Sequence, residues 1–146
     1  MIGIRRVVAV VALALALGAA VGTPGASAKA EAAWADDFFS ICVPDPAGCY
    51  AYTYGSVVWG NRTATINGTV ANEYTSGYVT AYFEAYAGST KIASTTRTVS
   101  SGTRGFQFGL GDPDRVGGFD RTKITVCWHG TDSSKVCSAP VHLWRD

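Results

Sequence analysis

The four cysteines and two histidines are the side chains of this sequence best able to do chemistry. Half of them crowd into one stretch, "VCWHGTDSSKVC" at 126–137. A zinc knuckle there needs two further ligands at suitable spacing, and His142 lies far along the following strand. A redox pair favours Cys-x-x-Cys ahead of a helix. A disulfide needs only that the two residues face each other. Cys127 and Cys137 sit symmetrically about Asp132, so a hairpin that sets Trp128 opposite Val136 sets Cys127 opposite Cys137. The other pair, Cys42 and Cys49, flanks "CVPDPAGC", where two prolines and a glycine force a turn that brings its ends together. Chain entropy does not choose a connectivity. Local loops of this size contribute roughly 2.5–3 kcal/mol each, against about 4.5 kcal/mol for a long-range bridge. The turns choose, and the expected staples are Cys42–Cys49 and Cys127–Cys137.

Catalytic readings are weaker. Ser133, His129 and Asp132 could be assembled into a Ser-His-Asp set, as could almost any polar turn, but no nucleophile elbow accompanies them. Paired carboxylates for glycoside hydrolysis would come from Glu73, Glu84 and the loop aspartates, and the strands give no reason for two to converge. The loop "GDPDRVGGFD" at 111–120 offers Asp112, Asp114 and Asp120 to calcium, which takes several oxygen ligands from one loop. The EF-hand spacing is absent, and Asp-Pro-Asp-Arg reads more simply as a turn with a self-paired charge. Neither an enzyme nor a cofactor nor a metal is expected. Asn61 and Asn67 open sequons, in a chain rich enough in threonine to produce them by chance.

The elements that must position these residues begin after a leader. Arg5 and Arg6 precede an apolar run over 7–21, and Ala26-Ser27-Ala28 is a small-x-small cleavage pattern, so 1–28 reads as a signal peptide. The run is short for a membrane span, which needs about 20 apolar residues. The product is expected to be secreted, with no membrane anchor after cleavage, and an even cysteine count suits that compartment. Of the twelve Lys/Arg, ten remain in the mature chain against eleven Asp/Glu, a net of −1. Nucleic acid is therefore not an expected partner, because it needs a clustered positive field.

Residues 29–49 read as an Ala-rich extension and the disulfide loop, with a short helical turn around "AAWADDFF" and a loosely held tail. The rest, 50–146, reads as one sandwich domain. Strands are expected over 50–59 (continuous or interrupted at Gly55), 63–72, 78–87, 91–99, 104–110, 122–129 and 135–143, divided by Gly/Asn/Asp/Ser turns at about ten-residue intervals. Alternation puts Ile66, Gly68 and Val70, then Val79, Ala81, Phe83 and Ala85, then Phe106, Phe108 and Leu110 in the core. The fold class is all-β, an antiparallel β-sandwich of about seven strands with two local disulfides.

"GTVANEYTSGYVTAYFEAYAGSTKIAS" within 65–108 resembles the FxLYD family of bacterial immunoglobulin-like domains. Gly68, Val70 and Asn72 fit its G-x-V-x-N strand, and Phe83, Tyr86 and Gly88 fit the strand and turn that follow. Ala85 and Ala87 replace the leucine and aspartate of the namesake motif. The resemblance implies that the sandwich is immunoglobulin-like, and it brings no catalytic residues.

All four Trp, seven Tyr and six Phe lie beyond the leader. Tyr78, Tyr82 and Tyr86 share a strand face with Thr80 and Glu84, opposite the core positions, and Tyr50, Tyr52 and Tyr54 form a second row. A tyrosine offers apolar area and a hydroxyl together, which suits a glycan or protein ligand. Cross-strand packing is the other use of such a row. The functional expectation is a secreted non-catalytic binding module with an extracellular glycan or cell-surface protein as partner, held by Tyr78, Tyr82 and Tyr86. The alternative is a secreted protease or glycosidase inhibitor, in which the constrained "CVPDPAGC" loop enters an enzyme cleft at little ordering cost.

Overall fold

A computed structural model describes residues 34–146. The signal peptide assigned to 1–28, and residues 29–33 of the extension, lie outside the described residues. Nine strands follow in order: β1 (Asp37–Cys42), β2 (Ala51–Trp59), β3 (Thr63–Asn72), β4 (Tyr78–Ala87), β5 (Thr90–Val99), β6 (Gly102–Gly111), β7 (Arg121–His129), β8 (Lys135–Cys137) and β9 (Val141–Trp144). They form two sheets, β1-β2-β3-β6 and β5-β4-β7-β8, with β9 also on β7. Every pairing is antiparallel. The chain is an antiparallel β-sandwich with two local disulfides.

Alternation explains which residues the layers hide. Val79, Ala81, Phe83 and Ala85 of β4 are fully buried, as are Ile124 and Val126 of β7 and Ile66 and Val70 of β3. Phe83 is the hub, meeting Phe39, Phe106 and Phe108 edge-on at 5.1–6.2 Å between ring centres. Burying such a ring stabilises the fold by roughly 1.5–3 kcal/mol from water exclusion alone.

Gly68 sits opposite Gly55 on β2 and opposite Phe106 on β6. A Cβ on Gly55 would lie 2.0 Å from the Asn67 carbonyl oxygen, and one on Gly68 would lie 2.3 Å from that of Tyr54. Only glycine permits this approach of the two backbones, and the Phe106 ring covers the space over Gly68. Gly55 therefore tightens β2 without breaking it, and of the two readings of this strand the continuous one holds.

Other expectations change. The loosely held tail and its helical turn give way, from Asp37 on, to β1, because Phe39 and Ile41 alternate inward and are buried. The Trp59 indole N–H donates to the Asp37 carboxylate at 2.7 Å and fixes the start of that strand. The last expected strand divides into β8 and β9 around Pro140, which has no N–H for the ladder. These two changes raise seven strands to nine. In the 111–120 loop no ion pair joins Arg115 to Asp112 or Asp114. The turn is held by Asp114 N–H donating to the Asp112 carboxylate and Arg115 N–H donating to its carbonyl.

Candidate ligand-binding face

The two disulfides come first, because one of them shapes the face. Trp128 stands opposite Val136 and Cys127 opposite Cys137, and the bridges are Cys42–Cys49 and Cys127–Cys137. Among the described residues no cysteine is free and no group of three or more His, Cys, Asp or Glu could hold a metal ion. Asp120 turns away from Asp112 and Asp114 to accept Gly88 N–H at 3.0 Å. The Asp132 carboxylate is bonded to Ser134, and His129 bonds to neither Asp132 nor Ser133.

Burial of the odd-numbered residues of β4 turns Tyr78, Tyr82 and Tyr86 outward. Register sets Tyr78 beside His129, Tyr82 beside Thr125, Glu84 beside Lys123 and Tyr86 beside Arg121 of β7. The row is less open than alternation suggests. Tyr78 is 42% exposed, Tyr82 and Tyr86 are partly buried, and Thr80 between them is buried with its hydroxyl 2.9 Å from that of Thr98. The cause is the length of the cross-strand neighbours. Lys135 Nζ lies 5.4 Å over the Tyr82 ring, the Arg121 guanidinium lies 4.4 Å over Tyr86, and His129 stacks on Tyr78 at 4.5 Å. Each contact is within the range where the ring's negative face attracts a cation or packs against a flat partner.

Charge on this face is ordered around one carboxylate. Glu84 accepts Lys91 and Lys123, each at 2.9 Å. Partial burial alone would raise the Glu84 carboxyl, but the hydrogen bonds from Lys91 and Lys123 outweigh it and hold it below the usual carboxylate value. Burial lowers the basicity of His129, and the Lys135 charge adds to this. Its Nε2 lies 3.4 Å from the Tyr82 hydroxyl, so a neutral imidazole can accept that proton. The arrangement can stack, donate and attract negative charge.

Two further surfaces stand out. At one end of the sandwich the 43–46 loop faces Tyr74, Ser76 and Trp128 across a cleft of about 410 Å³. The Tyr74 hydroxyl donates to the Asp45 carboxylate, Ala47 N–H donates to the same side chain at 2.8 Å, and Tyr50, Tyr74 and Trp128 pack in series. On the outer side of the other sheet, Phe38 is 78% exposed and Tyr54 49%, beside a shallow groove over Ser40, Ser56 and Asn67. Tyr52 and Tyr54 of the second tyrosine row stack at 6.2 Å, while Tyr50 lies before β2 and packs on Tyr74.

Sequence reasoning missed Phe38, whose signal was the short alternation of "DFFSIC". The two disulfide loops are separate staples, as their turns indicate, and Tyr74 and Trp128 bring both to one end of the sandwich. No family model, curated protein or solved structure matches the chain.

Proposed function

We propose that this chain is a secreted, immunoglobulin-like, non-catalytic binding module that holds an extracellular glycan against the outer face of β4 and β7. The observation that carries the reading is the outward row of Tyr78, Tyr82 and Tyr86, flanked on β7 by side chains able to donate hydrogen bonds. Successive tyrosines are about 13 Å apart along the strand, so a ligand touching two of them must be an extended chain. The immunoglobulin-like assignment rests on strand order. β2, β3 and β6 against β4, β7 and β8 follow strands A, B and E against C, F and G, with β5 on the side of C. Secretion rests on the leader pattern together with two disulfides, which persist in oxidising compartments.

Retention of the purified protein on a panel of insoluble and soluble polysaccharides tests this. Binding that Tyr82→Ala abolishes in a folded protein supports it. Capture of proteins but no glycan sinks it.

A second reading, inhibition of a hydrolase, is favoured by one observation. The 42–49 loop is pre-ordered by its disulfide, by Asp45 bonding and by the Tyr50 hydroxyl donating to the Ala47 carbonyl at 3.3 Å. A loop ordered before binding loses little entropy on entering a cleft. Residual activity of proteases and glycosidases in the presence of the protein decides it.

A further inference from the structure

The described residues contain three lysines, Lys91, Lys123 and Lys135, and all three lie on the outer face of the β5-β4-β7-β8 sheet. Arg121 joins them there, and so do both histidines, His129 and His142, the latter opposite Lys123. Glu84 is the one carboxylate among them. A mature chain whose charges nearly cancel has thus gathered four cations against one anion on a single face. The cations are also built into the tyrosine row, since Lys135 and Arg121 cover two of its rings.

The division of the last strand makes a notch in this face. β8 ends at Cys137, opposite Cys127, and β9 begins at Val141, opposite Ile124. Ser138 crosses between them and satisfies Val126 from both its backbone N–H and its side chain. Outward-facing Thr125 is left uncovered. The notch of about 260 Å³ is lined by Tyr82, Thr125, Glu84 and the Cys127–Cys137 bridge, with Lys123 on one side and Lys135 on the other. It is smaller than a site for a drug-sized ligand, about 300–1,000 Å³, and suits one acidic group of a longer chain.

We infer that the glycan bound by this face is an acidic polysaccharide, with one carboxylate or sulfate seated between Lys123 and Lys135 and the chain running along the tyrosine row. The inference rests on the binding-module reading and adds the ligand's charge and its anchoring residues. Lys123 is partly neutralised by Glu84, whereas Lys135 has no carboxylate partner among the described residues. Glu84 therefore opposes the ligand. Its removal strengthens binding even though two ion pairs are lost, a result that a purely structural role for these charges would not give.

The experiment is titration calorimetry of the disulfide-intact protein with two matched pairs, polygalacturonate against galactan and dextran sulfate against dextran, at low and moderate salt. Binding to an acidic member with a Kd at least tenfold tighter than its neutral counterpart is expected, weakening as salt shortens the screening length. Lys123→Gln and Lys135→Gln each weaken it about threefold, the scale of one exposed charge pair, and the double variant by about tenfold. Glu84→Gln tightens it severalfold, with thermal melts confirming the fold of every variant. Equal, salt-insensitive binding of neutral and acidic chains overturns the inference and leaves the module reading standing. Acidic binding untouched by the lysine variants overturns the site. Binding to none of the four overturns both. Tighter binding to a thymidine oligomer or to phosphatidylserine vesicles overturns the ligand class.

Discussion

Lys135 reaches from β8 across the neighbouring strand to lie over the ring of Tyr82 on β4, 5.4 Å from its centre. The contact joins the two features of the outer face, an aromatic row and a set of cations, and the bridge from Cys137 to Cys127 supports it. That disulfide pins a three-residue strand, too short to hold its own register, against β7.

Tyr82 and Phe83 are neighbours with opposite roles. Phe83→Ala removes the hub of the core and is expected to cost about 3–5 kcal/mol. Tyr82→Ala loses one cation–ring contact and a cross-strand pair and is expected to cost about 1 kcal/mol. Urea denaturation of the two variants reads the difference. Equal costs would mean that the tyrosine row serves the core.

The same contrast is expected on β1. Phe39→Ala opens a cavity against Phe83 and loses about 3–5 kcal/mol, whereas Phe38→Ser stays within roughly 0.5 kcal/mol of the parent. A large loss at Phe38 would show that something covers its exposed ring in solution.

The fold was legible where hydrophobic alternation was long and local. β3 and β4 emerge at their observed bounds, and the hairpin of Cys127 and Cys137 emerges in its observed register, because Asp132 centres it. Alternation failed at the ends. β1 is only six residues and follows an alanine-rich run, and the interruption at Pro140 sits inside an otherwise strand-like stretch. The tyrosine row was legible as a face, but its cations were not. Lys135, Arg121 and His129 reach the rings through pairing between strands distant in sequence, and so does the junction of Asp45, Tyr74 and Trp128.

That junction gives a pH signature. Burial, together with the bond to Asp45, pushes the Tyr74 hydroxyl up from 10.0 to about 12. A folded value above the unfolded one means that its contribution is intact below pH 10 and is lost as pH rises through about 12. The bond from Tyr74 and that from Ala47 N–H hold the Asp45 carboxyl below its ordinary 3.8. That contribution is present above pH 3.8 and is lost as pH falls through the lower folded value. The bond to Glu73 raises the Tyr52 hydroxyl as well, so tyrosinate absorbance should show more than one late-titrating ring, and Tyr74→Phe should remove the latest while flattening the acid melting curve. A Tyr74→Phe titration that keeps every late ring of the parent contradicts the bond.

Removing the second staple should loosen the face as well as the fold. Cys127→Ser with Cys137→Ser is expected to lower stability by about 3 kcal/mol, the entropy of an 11-residue loop. It should also weaken ligand binding beyond that of either lysine variant, because β8 carries Lys135. Non-reducing peptide mapping checks the pairing, and a fragment linking Cys42 or Cys49 to Cys127 or Cys137 would refute it.

The most direct test of the account is a residue-resolved NMR titration of the folded protein with an acidic oligosaccharide. The account predicts amide and side-chain shifts at Tyr82, Thr125, Lys123 and Lys135, extending along the row to Tyr78 or Tyr86, with the other sheet unmoved. Shifts centred instead on Pro44, Asp45 and Trp128, or on Phe38 and Tyr54, would contradict it.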